Sequence, residues 1–400
     1  MRLIRFLLFV LPLVAALPLF APQPGHALPL FARKYEMQCS QCHLAFPRLN
    51  AFGMRFRQNG YRLEGEKGQS PWESKEFPLS LVGNVGIQHL RTAEADTTGS
   101  GTRVHFSTTQ FIQNAVEFHS AGTLAPSLTF HFDNGFAGPG GVLESGMAFI
   151  QVDDVGKSGA LNVKAGIYDA EIPYLSDSRK TTLNGYINPI TLDGRGVELN
   201  GTKSGWTYAA GLINSERSTG KTGSTSLNNL EDGYVWLMRD VSNQLVTARV
   251  LMDRQDPRVA DKDASEHVLV QASAYLNQPR WALIPGYNFE SFADEPDTSG
   301  VGTGSLGLHG ALLEALYFLD PNQRWLVTGR YEIRHVGVSK VSPRKGDDTQ
   351  SEINLAYFVN PNAKICLDWT HATFRLHNPL EDNPTEPVTD EVQLYAHVGY

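Results

Sequence analysis

The sequence predicts an all-β fold, an antiparallel transmembrane β-barrel of about 16 strands with a short α-helical segment ahead of it. Three observations predict this. From Leu79 onward, apolar and polar residues alternate with a period of two almost to the end of the chain. The alternating segments are joined by connections that are long and short in turn. No internal run approaches the roughly 18 apolar residues that a membrane helix needs.

The chain has 400 residues, a length that would ordinarily suggest two or three soluble domains of about 150 residues. Hydrophobic residues make up 41% and glycines number 37. Mean hydropathy is slightly negative. Barrel strands are apolar on alternate residues only, so this average is compatible with crossing a membrane.

Residues 1–27 read as a secretory signal. Arg2 and Arg5 give a charged start, Leu3 to Phe20 an apolar core, and Gly25-His26-Ala27 a small-residue cleavage site. An uncleaved membrane anchor is the alternative, but Pro12 and Pro18 interrupt the run and no stop-transfer flank follows. Loss of Arg2 and Arg5 takes the net charge from -8 to -10, which argues against a nucleic-acid partner.

Residues 28–66 differ from everything after them. Leu49, Phe52 and Phe56 form the apolar stripe of a short helix that Asn59-Gly60 can close. About 40 residues are too few for a stable core, so this segment needs covalent help or another surface to pack on. Residues 67–78 read as a polar linker, and residues 79–400 as the barrel.

The alternation is clearest late in the chain. Trp325, Val327, Tyr331 and Ile333 oppose Thr328, Arg330, Glu332 and Arg334, and Val268, Val270, Ala272, Ala274 and Leu276 oppose Gln271, Ser273 and Tyr275. Long connections cover residues 92–102, 134–143, 169–194, 215–231, 253–265, 292–303, 336–349 and 375–390. Short ones lie between them, as at Ser120-Ala121-Gly122, Val241-Ser242-Asn243 and Asn277-Gln278-Pro279. Short periplasmic turns and long outer loops are the signature of outer-membrane barrels, whereas a soluble sandwich has no reason to alternate so regularly. The last strand, Val392 to Tyr400, keeps the pattern to a terminal aromatic, with Gln393, Tyr395 and His397 facing inward. The longest loop, 169–194, carries Tyr174, Leu175, Tyr186 and Ile187 and is apolar enough to fold into the lumen.

Cys39-Ser40-Gln41-Cys42-His43 is C-x-x-C-H, the attachment motif for a c-type haem. Two thiols at that spacing can form thioethers with both vinyl groups on one porphyrin edge, and the next residue, His43, then supplies a nitrogen to the iron. A disulfide, a redox C-x-x-C and half a zinc site are the alternatives. No βαβ context supports the second, and no nearby ligand pair the third. Met54 is the candidate distal iron ligand, with the lumen histidines His119 and His397 or an open, five-coordinate iron as alternatives. Cys366 stands apart, in a strand-like segment, and reads as a small buried side chain. His89, His105, His131, His267, His335, His371 and His377 are expected near the outer rim, either as plain polar residues or as a metal entry site. No acid–base pair or nucleophile is implied.

Phe31-Ala32-Arg33, Cys39 to His43, Phe46-Pro47-x-Leu49-Asn50-x-Phe52-Gly53 and Gly60-Tyr61, followed by the strands, resemble the fused cytochrome–porin family of outer-membrane iron oxidases. The N-terminal blocks carry the resemblance, and the barrel matches in architecture. It implies one covalent haem c on Cys39 and Cys42, with His43 as proximal ligand. It further implies a haem segment at the periplasmic side or inside the barrel, in the bacterial outer membrane and its lipid. Extracellular Fe(II) would be the donor and a periplasmic c-type cytochrome or other carrier the acceptor. A solute-diffusion porin with a haem-bearing plug, or electron export to an outside acceptor, are the alternatives.

Overall fold

A computed structural model of the chain describes residues 30–68, 78–95, 103–136, 144–156, 160–170, 180–188, 193–215, 232–242, 244–255, 265–296, 303–336, 347–374 and 388–399. The expected signal segment and most of the linker lie outside them.

Sixteen antiparallel strands, from β3 (Ser80–Ala95) to β18 (Val388–Gly399), close into one barrel. Each strand pairs with its neighbours in sequence, and β18 closes the ring on β3 through partners such as Leu394 with Ile87. Up-and-down pairing needs only hairpins, and closure satisfies every edge that an open sheet would leave bare in lipid. The short turns, such as those joining Val241 to Gln244 and Gln278 to Trp281, therefore all lie at one end of the barrel.

The pleat sorts the side chains as the alternation predicts. Thr328, Arg330 and Glu332 are buried inside, while Tyr331 on the same strand is 50% exposed outside. Gln271, Ser273 and Tyr275 likewise face in, and Val270 faces out. The outer face carries Val85, Ile150, Leu199, Val235, Val250, Leu313 and Ile353 as an apolar surface. Near the short turns it also carries aromatics: Trp206, Trp281, Tyr317 and Trp325. The guanidinium of Arg239 lies 5.0 Å over Trp206 and that of Arg280 5.5 Å over Tyr317. An apolar band edged by an aromatic girdle is how such a barrel meets a bilayer.

The lumen is partly occupied. Loop residues 180–188 run inside it: Lys364 donates to the Thr181 carbonyl at 2.6 Å, and Asn188 donates to Glu332 at 3.1 Å. Arg330 lies 4.5 Å over the Tyr186 ring and pairs with Glu352 at 2.6 Å. The loop's described part thus folds inward, as its apolar residues predict. Cys366 is buried on the lumen face of β17 (Ala363–Thr373).

Residues 30–68 also lie inside, toward the short-turn end. They form helices α1 (Leu30–Tyr35), α2 (Cys39–Cys42) and α3 (Ala51–Gln58), with a small ladder of β1 (His43–Ala45) and β2 (Arg48–Leu49). Phe31, Tyr35, Phe52, Phe56 and Tyr61 cluster with Ala121 of the barrel wall, and Phe31 stacks on Tyr61 at 4.9 Å. So small a cluster cannot carry the segment alone, and the barrel wall supplies the rest.

Candidate functional site

The sequence motif forms one compact unit. Cys39 and Cys42 occupy a single helical turn, so both thiols project from one side of it. Both are free and half-buried. Burial pushes both thiols up, Cys42 to about 11, with the Cys39 sulfur adding to the effect on Cys42. Both therefore stay protonated at neutral pH.

His43 follows as the cap of that turn, and its Nδ1 lies 3.1 Å from the Pro47 carbonyl oxygen. A carbonyl can only accept, so Nδ1 carries the proton and the lone pair sits on Nε2. That is the tautomer and orientation an iron ligand requires, with the far nitrogen held by a backbone oxygen. The donor set of two thiols and this imidazole fits a c-type haem.

Asn50 holds the unit together, a role that motif reasoning missed. It caps α3 by accepting from the Gly53 N–H at 2.9 Å, and its amide donates to the carbonyls of Ser40 and Gln41 at 3.2 and 2.9 Å. The helix starts at Ala51, so Leu49, expected on its stripe, lies in β2 instead, and Asn50 is the cap residue between the two. Gly53 lets α3 rest on the motif, since a Cβ there would stand 2.2 Å from the Cys42 carbonyl oxygen. Gly60, at φ +68°, ends the turn after α3 and brings the backbone against Thr129 and Asp153 on the wall.

Cationic side chains fasten the segment to strands around the ring. Arg48 pairs with Glu314 on β14 (Thr303–Phe318), both side chains being almost fully buried. Tyr186 joins them, 3.0 Å from Arg48 and 3.1 Å from Glu314, so segment, inner loop and wall meet at one point. Burial opposes the charge on Arg48, but Glu314 and Tyr186 more than offset it, and its pKa moves up. Arg55 pairs with Asp240, and Arg62 lies 3.6 Å from Asp153 and 3.3 Å from Asp154. The Cys39 thiol donates to Asn362 at 3.1 Å, in the turn just ahead of β17.

Met54 packs with Leu44 and Phe46 against the buried cluster of the wall and lines a small cavity with Tyr61, Phe149 and Lys164. The Phe46 ring stands between two imidazoles, with ring centres 5.9 Å from His43 and 5.0 Å from His397. His397 is buried, and its Nε2 has no hydrogen-bond partner among the described residues. His131 was expected near the outer rim. It lies instead inside the lumen, three residues beyond the short turn that ends at Leu128. The side chains of His267 and His377 lie outside the described residues.

Solved structures with this architecture are outer-membrane proteins. The outer membrane channel DcaP of Acinetobacter baumannii is 13% identical, with a TM-score of 0.58 over 84% of this chain and 100% of its own. OmpF of Salmonella typhi, solved with daunomycin, is 14% identical, with a TM-score of 0.52 over 80% and 97%. The trimeric form of OmpT of Vibrio cholerae is 11% identical, with a TM-score of 0.52 over 80% and 99%. The fold is the porin barrel. No family model matches the chain, and no curated protein matches it. The cytochrome–porin resemblance therefore rests on the N-terminal residues alone.

Proposed function

We propose that this chain is an outer-membrane barrel whose inner segment carries one haem c on Cys39 and Cys42, with His43 as proximal ligand, and that it passes single electrons between an external donor and a periplasmic carrier. The observation that carries the reading is His43. Its Nδ1–H is fixed on the Pro47 carbonyl, directly after two free thiols one helical turn apart. When bound, the haem would supply a one-electron redox centre whose potential depends on its axial ligands and on the dryness of the site.

The chain's own residues then hold and insulate. Arg48, Arg55 and Arg62 seat the segment on the wall, and Asn50 keeps α3 on the motif. Met54 and His397 both offer suitable distal atoms in this region, and Nε2 of buried His397 has no hydrogen-bond partner among the described residues. Extracellular Fe(II) is the favoured electron source, with a periplasmic c-type cytochrome as acceptor. An outside acceptor would reverse the flow.

Solute diffusion is the second reading, and the fold likeness by itself favours it, because the neighbours are channels and porins. Against it stands the occupation of the lumen by loop residues 180–188 and by the N-terminal segment.

Three measurements on full-length protein in detergent separate the two. Haem should remain on the polypeptide through acid acetone and should vanish in Cys42→Ala. Fe(II) should reduce that haem, and planar-bilayer conductance should be small and rise when residues 28–66 are deleted. Extractable haem, or none, defeats the attachment. Large conductance in both forms defeats the plug and leaves a diffusion porin.

A further inference from the structure

On the lumen wall beside the N-terminal segment, three side chains from adjacent strands converge. His119 on β4 (Arg103–Ala125) is the cross-strand partner of Asp133 on β5 (Leu128–Phe136), and His131 stands two residues before Asp133 on the same face. One Asp133 oxygen lies 3.0 Å from His131 Nε2 and 3.6 Å from His119 Nδ1. The three ligand atoms all fall within 4.8 Å of one another.

The far side of each group is already held. His131 Nδ1 meets the Tyr61 hydroxyl at 2.7 Å, and His119 Nε2 meets Glu117 at 3.1 Å. The second Asp133 oxygen accepts the Met147 backbone N–H. Stacking fixes the His131 ring as well, at 5.2 Å from Phe149 and 5.7 Å from Tyr61. A pair of imidazoles and a carboxylate, each oriented by an outer partner, is how metal ligands are positioned.

We propose that His119, His131 and Asp133 form a binding site for a divalent first-row transition cation at the seam between barrel wall and N-terminal segment. The N2O donor set suits zinc, iron(II) or copper(II) over magnesium or calcium. Bonds of about 2.0–2.1 Å place tetrahedral ligand atoms roughly 3.3 Å apart, so the His119 ring has only a short distance to close. His119 is the part-exposed member, which leaves a way in and an open fourth position. Binding puts the His131 proton on Nδ1, where it donates to Tyr61, and the His119 proton on Nε2, where it donates to Glu117. The site does not depend on haem attachment.

Full-length, tag-free protein is stripped with chelator and titrated with Zn(II) by equilibrium dialysis, and the zinc shell is read by X-ray absorption. One zinc per chain is expected, with two imidazoles and at least one oxygen. His119→Ala and Asp133→Asn should each weaken binding about 100-fold, and Tyr61→Phe about 10-fold. Heat-modifiable gel migration verifies folding, and His119 is exposed enough to be truncated safely. Absence of a stoichiometric site, an all-oxygen shell, or the same affinity in His119→Ala and Asp133→Asn overturns the proposal and leaves an ion-paired triad only.

Discussion

Replacing Arg48 by Ala strips the buried Glu314 carboxylate of its cation and leaves the Tyr186 hydroxyl without that partner. Both members of the ion pair are almost fully buried, so water cannot replace the lost contact. Removing one partner of such a pair costs about 3–5 kcal/mol. With each 1.4 kcal/mol worth a factor of ten, the equilibrium between seated and released segment should shift by roughly a hundred- to a few-thousand-fold. Single-channel recording of the purified barrel reads this as opening frequency, and protease applied from the short-turn side reads it as cleavage in 30–68. The double change Arg48→Met with Glu314→Leu should recover most of the closure, since an apolar replacement leaves no unpaired charge. Arg48→Ala as closed and resistant as the parent would refute the reasoning, and so would a double variant that opens more than the single one.

Asn50→Ala removes both the cap of α3 and the two bonds to the motif, and should cost about 1–2 kcal/mol. Amide exchange over residues 39–58 should then quicken roughly tenfold, and unchanged protection would deny Asn50 that role. In haem-free protein, Cys42 should resist alkylation at pH 8, where a thiol at about 11 is only about one part in a thousand thiolate, and react faster as pH rises toward 11. Fast labelling at pH 8 would contradict the burial. Tags inserted in 216–231 should be reached by antibody on intact cells while tags at Asn277 should not, and the reverse pattern would invert the barrel's orientation.

The barrel was legible in the sequence because the pleat imposes its period on every strand and hairpins alternate their ends. Tyr331 and Glu332 need no tertiary information to be assigned to opposite faces. The inward course of 180–188 was readable from Tyr186 and Ile187, too apolar for water. The fastening of the N-terminal segment was not readable. Arg48 and Glu314 stand 266 residues apart, and nothing local marks either as a partner. His131 was misassigned because the short turn before it was placed too early, which left the residue far along its strand instead of close to that turn. The ladder runs on to Ala125 before turning, later than the glycine-containing turn around Ser120 suggests.

The N-terminal segment makes its bonds to Asp153, Asp240, Glu314 and Asn362, residues spread along most of the chain. Gly399, one residue from the end, lies against Phe46. The segment precedes all of these partners in the chain, yet its full set of contacts needs strands from both halves of the barrel. Arg48 can reach Glu314 only once β14 stands in the ring, and Phe46 can meet Gly399 only once β18 does. Seating is thus coupled to ring closure, and a barrel stalled with an open seam presents a loose, protease-accessible N-terminus.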